Sequence, residues 1–279
     1  MSKPILLDGA TGTAIWSKVD DKKPVWTYNI TNPEVVKSVH KEYVEAGAQI
    51  IFANTFSINK YANRRNEYSL DEVVEAALKI AKEAVEGTET KIALTMGPLP
   101  VLMEPYGDLE EEEVYQAYDE ILQAASKIGF DYVVYETFLD LNMMKVAVEA
   151  AKKYEKPIIC SMTFEKVGKT MFGNSVGQIC EELEQLGIDA IGMNCSLGPQ
   201  QAVGIIEEFS KTTKLPLFFK PNAGLPITSE DGKTEMPYTA ADFAREVSPV
   251  IPLVSYIGSC CGSDYTYTQE IRKEIEKMK

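Results

Sequence analysis

Short, near-continuous apolar runs recur along the chain, separated by longer segments with helical spacing. The runs are PILLD (4–8), QIIFAN (49–54), KIALTMG (91–97), YVVYET (132–137), PIICSMTF (157–164), AIGMNC (190–195), PLFFKPN (216–222) and LVSYIGS (253–259). Runs of Ile, Val, Leu and Phe without polar alternation suit strands covered on both faces of a parallel sheet. Between them, NPEVVKSVHKEYVEAGA (32–48) has Pro33 at a first helical position and Gly47 at its end. SLDEVVEAALKIAKEAVEG (69–87) opens on a serine cap and closes on glycine. DLEEEEVYQAYDEILQAASKIG (108–129) opens with acidic residues, which favour the positive end of a helix dipole. Further helical stretches are expected at 140–154, 175–187, 199–212, 239–247 and 264–278.

Eight strand–helix units in 279 residues have the size and rhythm of a (β/α)8 TIM barrel, a single domain over residues 1–279. An open doubly wound sheet is the rival. It usually interrupts the repeat with a longer connection or an antiparallel edge, and the pattern shows neither. The polar, Pro/Gly-rich stretch AGLPITSEDGKTEMPY (223–238) reads as a long loop after strand seven, on the active-site face.

Composition changes this picture little: 45% hydrophobic and 25% charged residues are ordinary for a globular protein. The formal net charge of −14 repels phosphate backbones and anionic lipid, which argues against nucleic-acid or membrane partners. The opening MSKPILLDGA has too short an apolar run for a signal peptide, and no run approaches a membrane span, so a cytoplasmic location is expected. The one histidine, His40, rules out a multi-histidine metal site and reads as a residue on or under its helix. The five cysteines are odd in number and lack the spacing of a disulfide framework. Cys160, mid-strand, and Cys180, in a helix, read as core.

Chemistry in a barrel gathers where strands end. Here those ends carry Asp8, Asn54-Thr55, Glu136-Thr137, Asn194-Cys195-Ser196, Lys220-Pro221-Asn222 and GSCCG (258–262). Cys195, Cys260 and Cys261 therefore share one face, where three thiolates could converge on one zinc with its fourth position open for catalysis. Neighbouring residues of a strand point to opposite faces, so Cys260 and Cys261 can share a metal only if the chain leaves strand geometry between them; the flanking glycines permit that. The competing readings are a core Cys195 and a redox or vicinal disulfide pair at Cys260–Cys261. Asp8 and Glu136 read as two carboxylates at the barrel mouth, suited to an ammonium group or to acid/base work; loop capping or ion pairing is the alternative. DGATGT (8–13) lacks the spacing of a phosphate loop. Lys220 could form a Schiff base, as in an aldolase, or pair with a neighbouring acid.

LLDGATGT, EAGAQIIFANTF, YETF, GMNCS, KPNAGLP and GSCCG occur in that order from Asp8 to Gly262. Together they resemble the homocysteine S-methyltransferase family, most of all the homocysteine-binding module of its cobalamin-dependent methionine synthases. The resemblance implies a zinc-dependent barrel with Cys195, Cys260 and Cys261 as Zn2+ ligands. It implies that Asp8 and Glu136 hold the homocysteine amino group and that Asn222 sits beside the metal. Ser259, Ser263 and Thr11 depart from the usual Gly, Thr and Met, and leave the ligands intact. No segment resembles a folate-binding barrel or a cobalamin domain. The expected reaction is methylation of the homocysteine thiol to methionine, with a methyl donor supplied in trans, a methylcorrinoid protein first. A small onium donor such as S-methylmethionine or a betaine is the alternative, followed by the Lys220 aldolase and a non-catalytic acceptor subunit.

Overall fold

In the computed structural model, which describes residues 3–62, 67–224, 227–228, 234–235 and 237–278, the apolar runs become strands. These are β1 (Ile5–Leu6), β2 (Ile50–Phe52), β3 (Lys91–Met96), β4 (Tyr132–Phe138), β5 (Ile158–Met162), β6 (Ala190–Asn194) and β7 (Leu217–Lys220). Two short strands follow, β8 (Ile227–Thr228) and β9 (Thr234–Glu235), and then β10 (Tyr256–Ile257). Every strand but β8 and β9 lies in one parallel sheet, ordered β1-β10-β7-β6-β5-β4-β3-β2. A parallel bridge from Leu7 to Ile50 and the bond from Gln49 N to Leu6 O (2.7 Å) bring its two ends together, so the sheet closes into a barrel.

The two-residue period of each strand divides the apolar residues between two cores. Leu7, Ile50, Phe52, Ala93, Val134, Ile159, Ala190 and Phe218 point inward and pack together. Their neighbours Leu6, Ile51, Leu94, Val133, Ile158, Ile191 and Phe219 point outward into the layer shared with the helices. Both faces are thus dry, which is why the strands read as unbroken apolar runs. The inner core needs small residues beside large ones. A Cβ on Gly192 would lie 1.8 Å from the Phe218 carbonyl oxygen, so only glycine fits there.

The outer ring contains α3 (Pro33–Ala46), α4 (Leu70–Val85), α5 (Glu111–Ser126), α6 (Leu141–Ala151), α7 (Val176–Glu184), α8 (Pro199–Thr212), α9 (Ala240–Val247) and α10 (Tyr265–Glu276). Pro33 starts α3 and Gly47, at φ 103°, ends it. Ser69 and Glu72 form a reciprocal capping box on α4. Two short helices have no counterpart in the pattern: α1 (Thr11–Trp16), inside DGATGT and beyond, and α2 (Tyr28–Thr31). One turn of helix is too short for a 3.6-residue period to register.

The stretch expected as a plain loop after strand seven contains the antiparallel pair β8–β9, so that reading is corrected there. A two-residue ladder leaves too little alternation to see. Residues 225–226, 229–233 and 236 of that stretch lie outside the described residues. Cys160 and Cys180 are buried in the outer core, and His40 is fully buried, with neither ring nitrogen hydrogen-bonded among the described residues. Burial pushes the His40 imidazole down to about 4, so it is neutral at ordinary pH.

Candidate metal and amino-acid site

Following the inward positions toward the strand ends, the barrel interior changes from apolar to polar. Two residues beyond Ala93, Val134, Ile159 and Phe218 stand Thr95, Glu136, Ser161 and Lys220, all buried. On β6 the inward position after Gly192 is Asn194, fully buried. Its Oδ1 accepts from Thr137 N (2.8 Å) and Ser161 Oγ (2.7 Å), and its Nδ2 donates to Thr137 Oγ1 (2.8 Å). This amide fixes the end of β4 where its register with β5 shifts and where Thr137 takes φ 66°. Cys195 (φ 56°) and Ser196 (φ 52°) are also left-handed. Each such residue costs about 1–2 kcal/mol and persists only where surrounding bonds hold it.

Those bonds turn Cys195 toward the last strand. Cys195 N donates to Lys220 O (3.0 Å), Cys260 N to Pro221 O (2.8 Å) and Ala223 N to Cys261 O (3.0 Å). After β10 the chain does leave strand geometry. Ser263 N closes a turn onto Cys260 O (3.1 Å), with Gly262 at φ 84°. The Ser263 hydroxyl donates to Cys260 O (2.7 Å) and accepts from Ala10 N (3.2 Å), tying the turn to the β1 loop. A serine therefore supplies here the hydroxyl that threonine would.

The outcome is three sulfurs within 4.8 Å of one another, Cys195 and Cys261 being 3.6 Å apart. A tetrahedral thiolate site with metal–sulfur bonds of about 2.3 Å sets its sulfurs roughly 3.8 Å apart. The donor set therefore fits a zinc ion. Crowding and burial keep these thiols protonated in the absence of a cation. Hydrogen bonding to Cys260 lowers Cys195, but that to Cys261 and burial outweigh it and push Cys195 to about 11. Cys261 is pushed up to about 12; its bond to Cys195 lowers it, and Cys260 and burial raise it. Cys260 goes higher still, first through its bond to Cys195 and then through burial. Three crowded thiols resist ionisation until a cation joins them.

The thiols open on a cavity of about 440 Å³ whose wall includes Glu136, Lys220, Thr95, Phe52, Trp16 and Phe56. Glu136 is a buried carboxylate whose Oε1 accepts from Thr95 Oγ1 (2.7 Å) and whose Oε2 lies 3.4 Å from Asn194 Nδ2. Among the described residues no cationic nitrogen is within ion-pair distance of it. Burial raises its pKa, against the more distant pull of Lys220. Asp8 is placed differently from its expected companion. It is fully buried, does not line the cavity, and both its oxygens are engaged: Oδ1 by Lys220 Nζ (2.7 Å) and Oδ2 by Phe52 N (2.7 Å). Lys220 thus pairs with an acid, the second of its two readings. Burial alone would lower its pKa, but Asp8 and then Glu136 outweigh that and raise it, which favours the ammonium. Asn222 lies between the backbone bonds to Cys260 and Cys261, and its Oδ1 is buried with no hydrogen-bond partner among the described residues.

The fold agrees with the comparisons to known proteins. A family model described as homocysteine S-methyltransferase matches residues 5–275. The chain belongs to the homocysteine S-methyltransferase family. It is 28% identical to a methionine synthase of Mycobacterium leprae over 97% of its length, and 27% identical to that of Mycobacterium tuberculosis over 98%. It spans only 24% of the length of each. The crystal structure of the homocysteine methyltransferase MmuM from Escherichia coli, oxidised form, superimposes with a TM-score of 0.81 at 18% identity, covering 98% of this chain and 96% of that one. A metallated form of the same protein gives 0.79, covering 97% and 96%. At that identity the likeness speaks for the barrel.

The pattern of apolar runs did not single out several members of this site. Thr95 and Ser161 are ordinary polar residues until the closed barrel aligns them; Asn194 stood among the strand-end residues, but its bonds to Thr137 and Ser161 did not show. Trp16, Pro24, Val25 and Phe56 line the cavity from segments with no periodic signal.

Proposed function

We propose that this chain binds homocysteine and methylates its thiol to give methionine, with zinc held by Cys195, Cys260 and Cys261 and the methyl group delivered in trans by a methylcorrinoid protein. The observation that carries the reading is one cavity that joins three converging thiols to a buried carboxylate with no ion-pair partner among the described residues. When bound, zinc supplies the Lewis acidity that keeps a thiol ionised at neutral pH, where a free thiol with pKa near 8.5 is only a few per cent thiolate. Glu136 receives the substrate ammonium, which replaces the missing counter-ion and favours the ionised carboxylate. Thr95 and Asn194 hold Glu136 in place, and Asn222 Oδ1 offers a second acceptor beside the cysteine turn. Asp8 acts one step back, through Lys220. The substrate sulfur then attacks the methyl carbon. A sulfur–carbon bond forms, the bond to the donor breaks with its electron pair staying on the donor, and the thiol proton leaves to solvent.

Two observations favour a protein-borne donor. The described charged groups on the cavity wall are Glu136 and Lys220. An amino-acid donor bound together with homocysteine would need partners for its own carboxylate and ammonium, and the outer wall of Trp16, Pro24, Val25 and Phe56 offers no charged side chain. Beyond the cavity, Leu102, Tyr106, Val167 and Met171 stand exposed on the loops after β3 and β5, which touch through Tyr106 and Phe172 (ring centroids 4.9 Å). Free thiols of this kind suit a reducing cytoplasm, and no described helix is long and apolar enough to cross a membrane. The test is homocysteine turnover by the zinc-loaded protein with methylcobalamin, with and without a corrinoid protein, and with S-methylmethionine and betaine. Methionine formed with a corrinoid donor is the expected result. Turnover with a small onium donor alone would replace the donor assignment, and no turnover with any donor would sink the acceptor reading.

A further inference from the structure

The large apolar side chains left exposed on this protein are not scattered. Eight stand among the described residues, and all of them except Leu253 follow a strand, on the face where the cavity opens. Exposed apolar surface gathered on one face marks a place that something else covers. The patch is continuous with the cavity. Phe56, on the cavity wall, packs on Gly97, where a Cβ would lie 2.5 Å from its ring, and Gly97 N donates to Phe56 O (2.8 Å). Gly97 opens the β3 loop, which carries Leu102 and Tyr106. Tyr106 meets Phe172 of the β5 loop, beside Met171 and Val167. Leu102 (52% exposed), Tyr106 (55%), Met171 (70%) and Val167 (77%) line no part of the cavity, so a donor held inside it would leave them in water.

Charge gives the occupant its chemistry. The β3 loop carries Glu104 and Asp108 and runs into Glu110–Glu113, the cap and first turn of α5. All six are exposed, and none forms an ion pair among the described residues. Glu113 serves the helix by accepting from Glu110 N (3.1 Å), but one such cap does not call for six acids. On the β5 loop Lys166 and Lys169, with Glu165 beside them, offset little of this charge. A second copy docked by the same face would set glutamates against glutamates, and an anionic surface would be repelled. A basic protein surface is attracted.

We infer that the ridge formed by the β3 and β5 loops is the docking surface for the protein that carries the methyl group, and that this partner meets it with an apolar contact ringed by lysine or arginine. This rests on the protein-borne donor proposed above and deepens it. The ridge, outside the cavity, selects which donor protein is accepted, and the cavity performs the transfer.

The test follows methionine formation by the zinc-loaded protein from a corrinoid protein charged with methylcobalamin and, in parallel, from free methylcobalamin. Val167→Ser/Met171→Ser removes apolar contact, and Glu111→Gln/Glu112→Gln removes charge; none of these residues lines the cavity. Each double variant is expected to raise KM for the corrinoid protein at least roughly 10-fold, while kcat with that donor and turnover of free methylcobalamin stay within about twofold of the wild type. Added salt should raise the wild-type KM for the corrinoid protein and raise that of the glutamine variant less. An unchanged KM in either variant overturns the docking surface, and so does an equal loss with both donors, since the loops would then be shaping the cavity. A wild-type dimer in sedimentation that both variants dissociate also overturns it, for a second copy would then cover the ridge. Wild-type turnover with S-methylmethionine or betaine and none with the corrinoid protein removes the donor reading itself, which is a different result from the others.

Discussion

Glu136→Gln separates what the site contributes to binding from what it costs the fold. The carboxylate is buried, its Oε1 is taken by Thr95, and its Oε2 has only a long contact with Asn194 Nδ2 at 3.4 Å. An ammonium placed there gains a charge-assisted hydrogen bond in a dry site. Replacing the charge by an amide of equal size should lose about 2–3 kcal/mol, or roughly 30- to 150-fold in homocysteine affinity. Stability should move the other way. The folded-state pKa of Glu136 is raised by burial, so the folded protein holds this proton more tightly than the unfolded chain. The resulting stability is fully present below the unfolded pKa and is lost as pH rises through the folded one. At neutral pH the substrate-free wild type carries that loss and the glutamine variant does not. The assay is calorimetric titration with homocysteine and with 4-sulfanylbutanoate, which lacks the amine, alongside urea melts from pH 4 to 8. Homocysteine should weaken and 4-sulfanylbutanoate should not, while the variant's stability declines less steeply with pH. Homocysteine affinity within about threefold of wild type would refute the placement of the ammonium on Glu136.

Other consequences can be checked independently. Cys195→Ser, Cys260→Ser or Cys261→Ser should each lower bound zinc from about one per chain toward none, measured by elemental analysis after dialysis, because removing one of three thiolates breaks the donor set. Asn194→Ala should destabilise the fold by about 2–4 kcal/mol in denaturant melts, since it leaves Thr137 N and Ser161 Oγ without their buried acceptor. Gly192→Ala should express poorly or melt far lower, as its Cβ meets the Phe218 carbonyl oxygen at 1.8 Å. Glu155→Gly should gain about 1 kcal/mol, or roughly 2 °C in melting temperature, because Glu155 is exposed and sits at φ 52°.

The barrel was legible in the sequence because its strands are dry on both faces, so no polar residue interrupts stretches such as IIFA (50–53), and helical segments with clear caps separate them. The cysteine placement was legible for a related reason. Cys195, Cys260 and Cys261 follow directly on apolar runs, and every parallel strand in a barrel ends on the same face. The motifs from LLDGATGT to GSCCG added the family. What the sequence could not decide was which groups touch. Asp8 and Glu136 look alike at two strand ends, yet one is spent on Lys220 and the other is left open. Closing β1 against β10, with β7 beside it, brings Asp8 to a lysine 212 residues away. Glu136, across the barrel, meets only the Thr95 hydroxyl and the edge of an amide among the described residues. The apolar period determines which face a side chain takes, because it is local. The pairing of buried charges is decided by barrel closure, because only the tertiary structure sets distances across the interior.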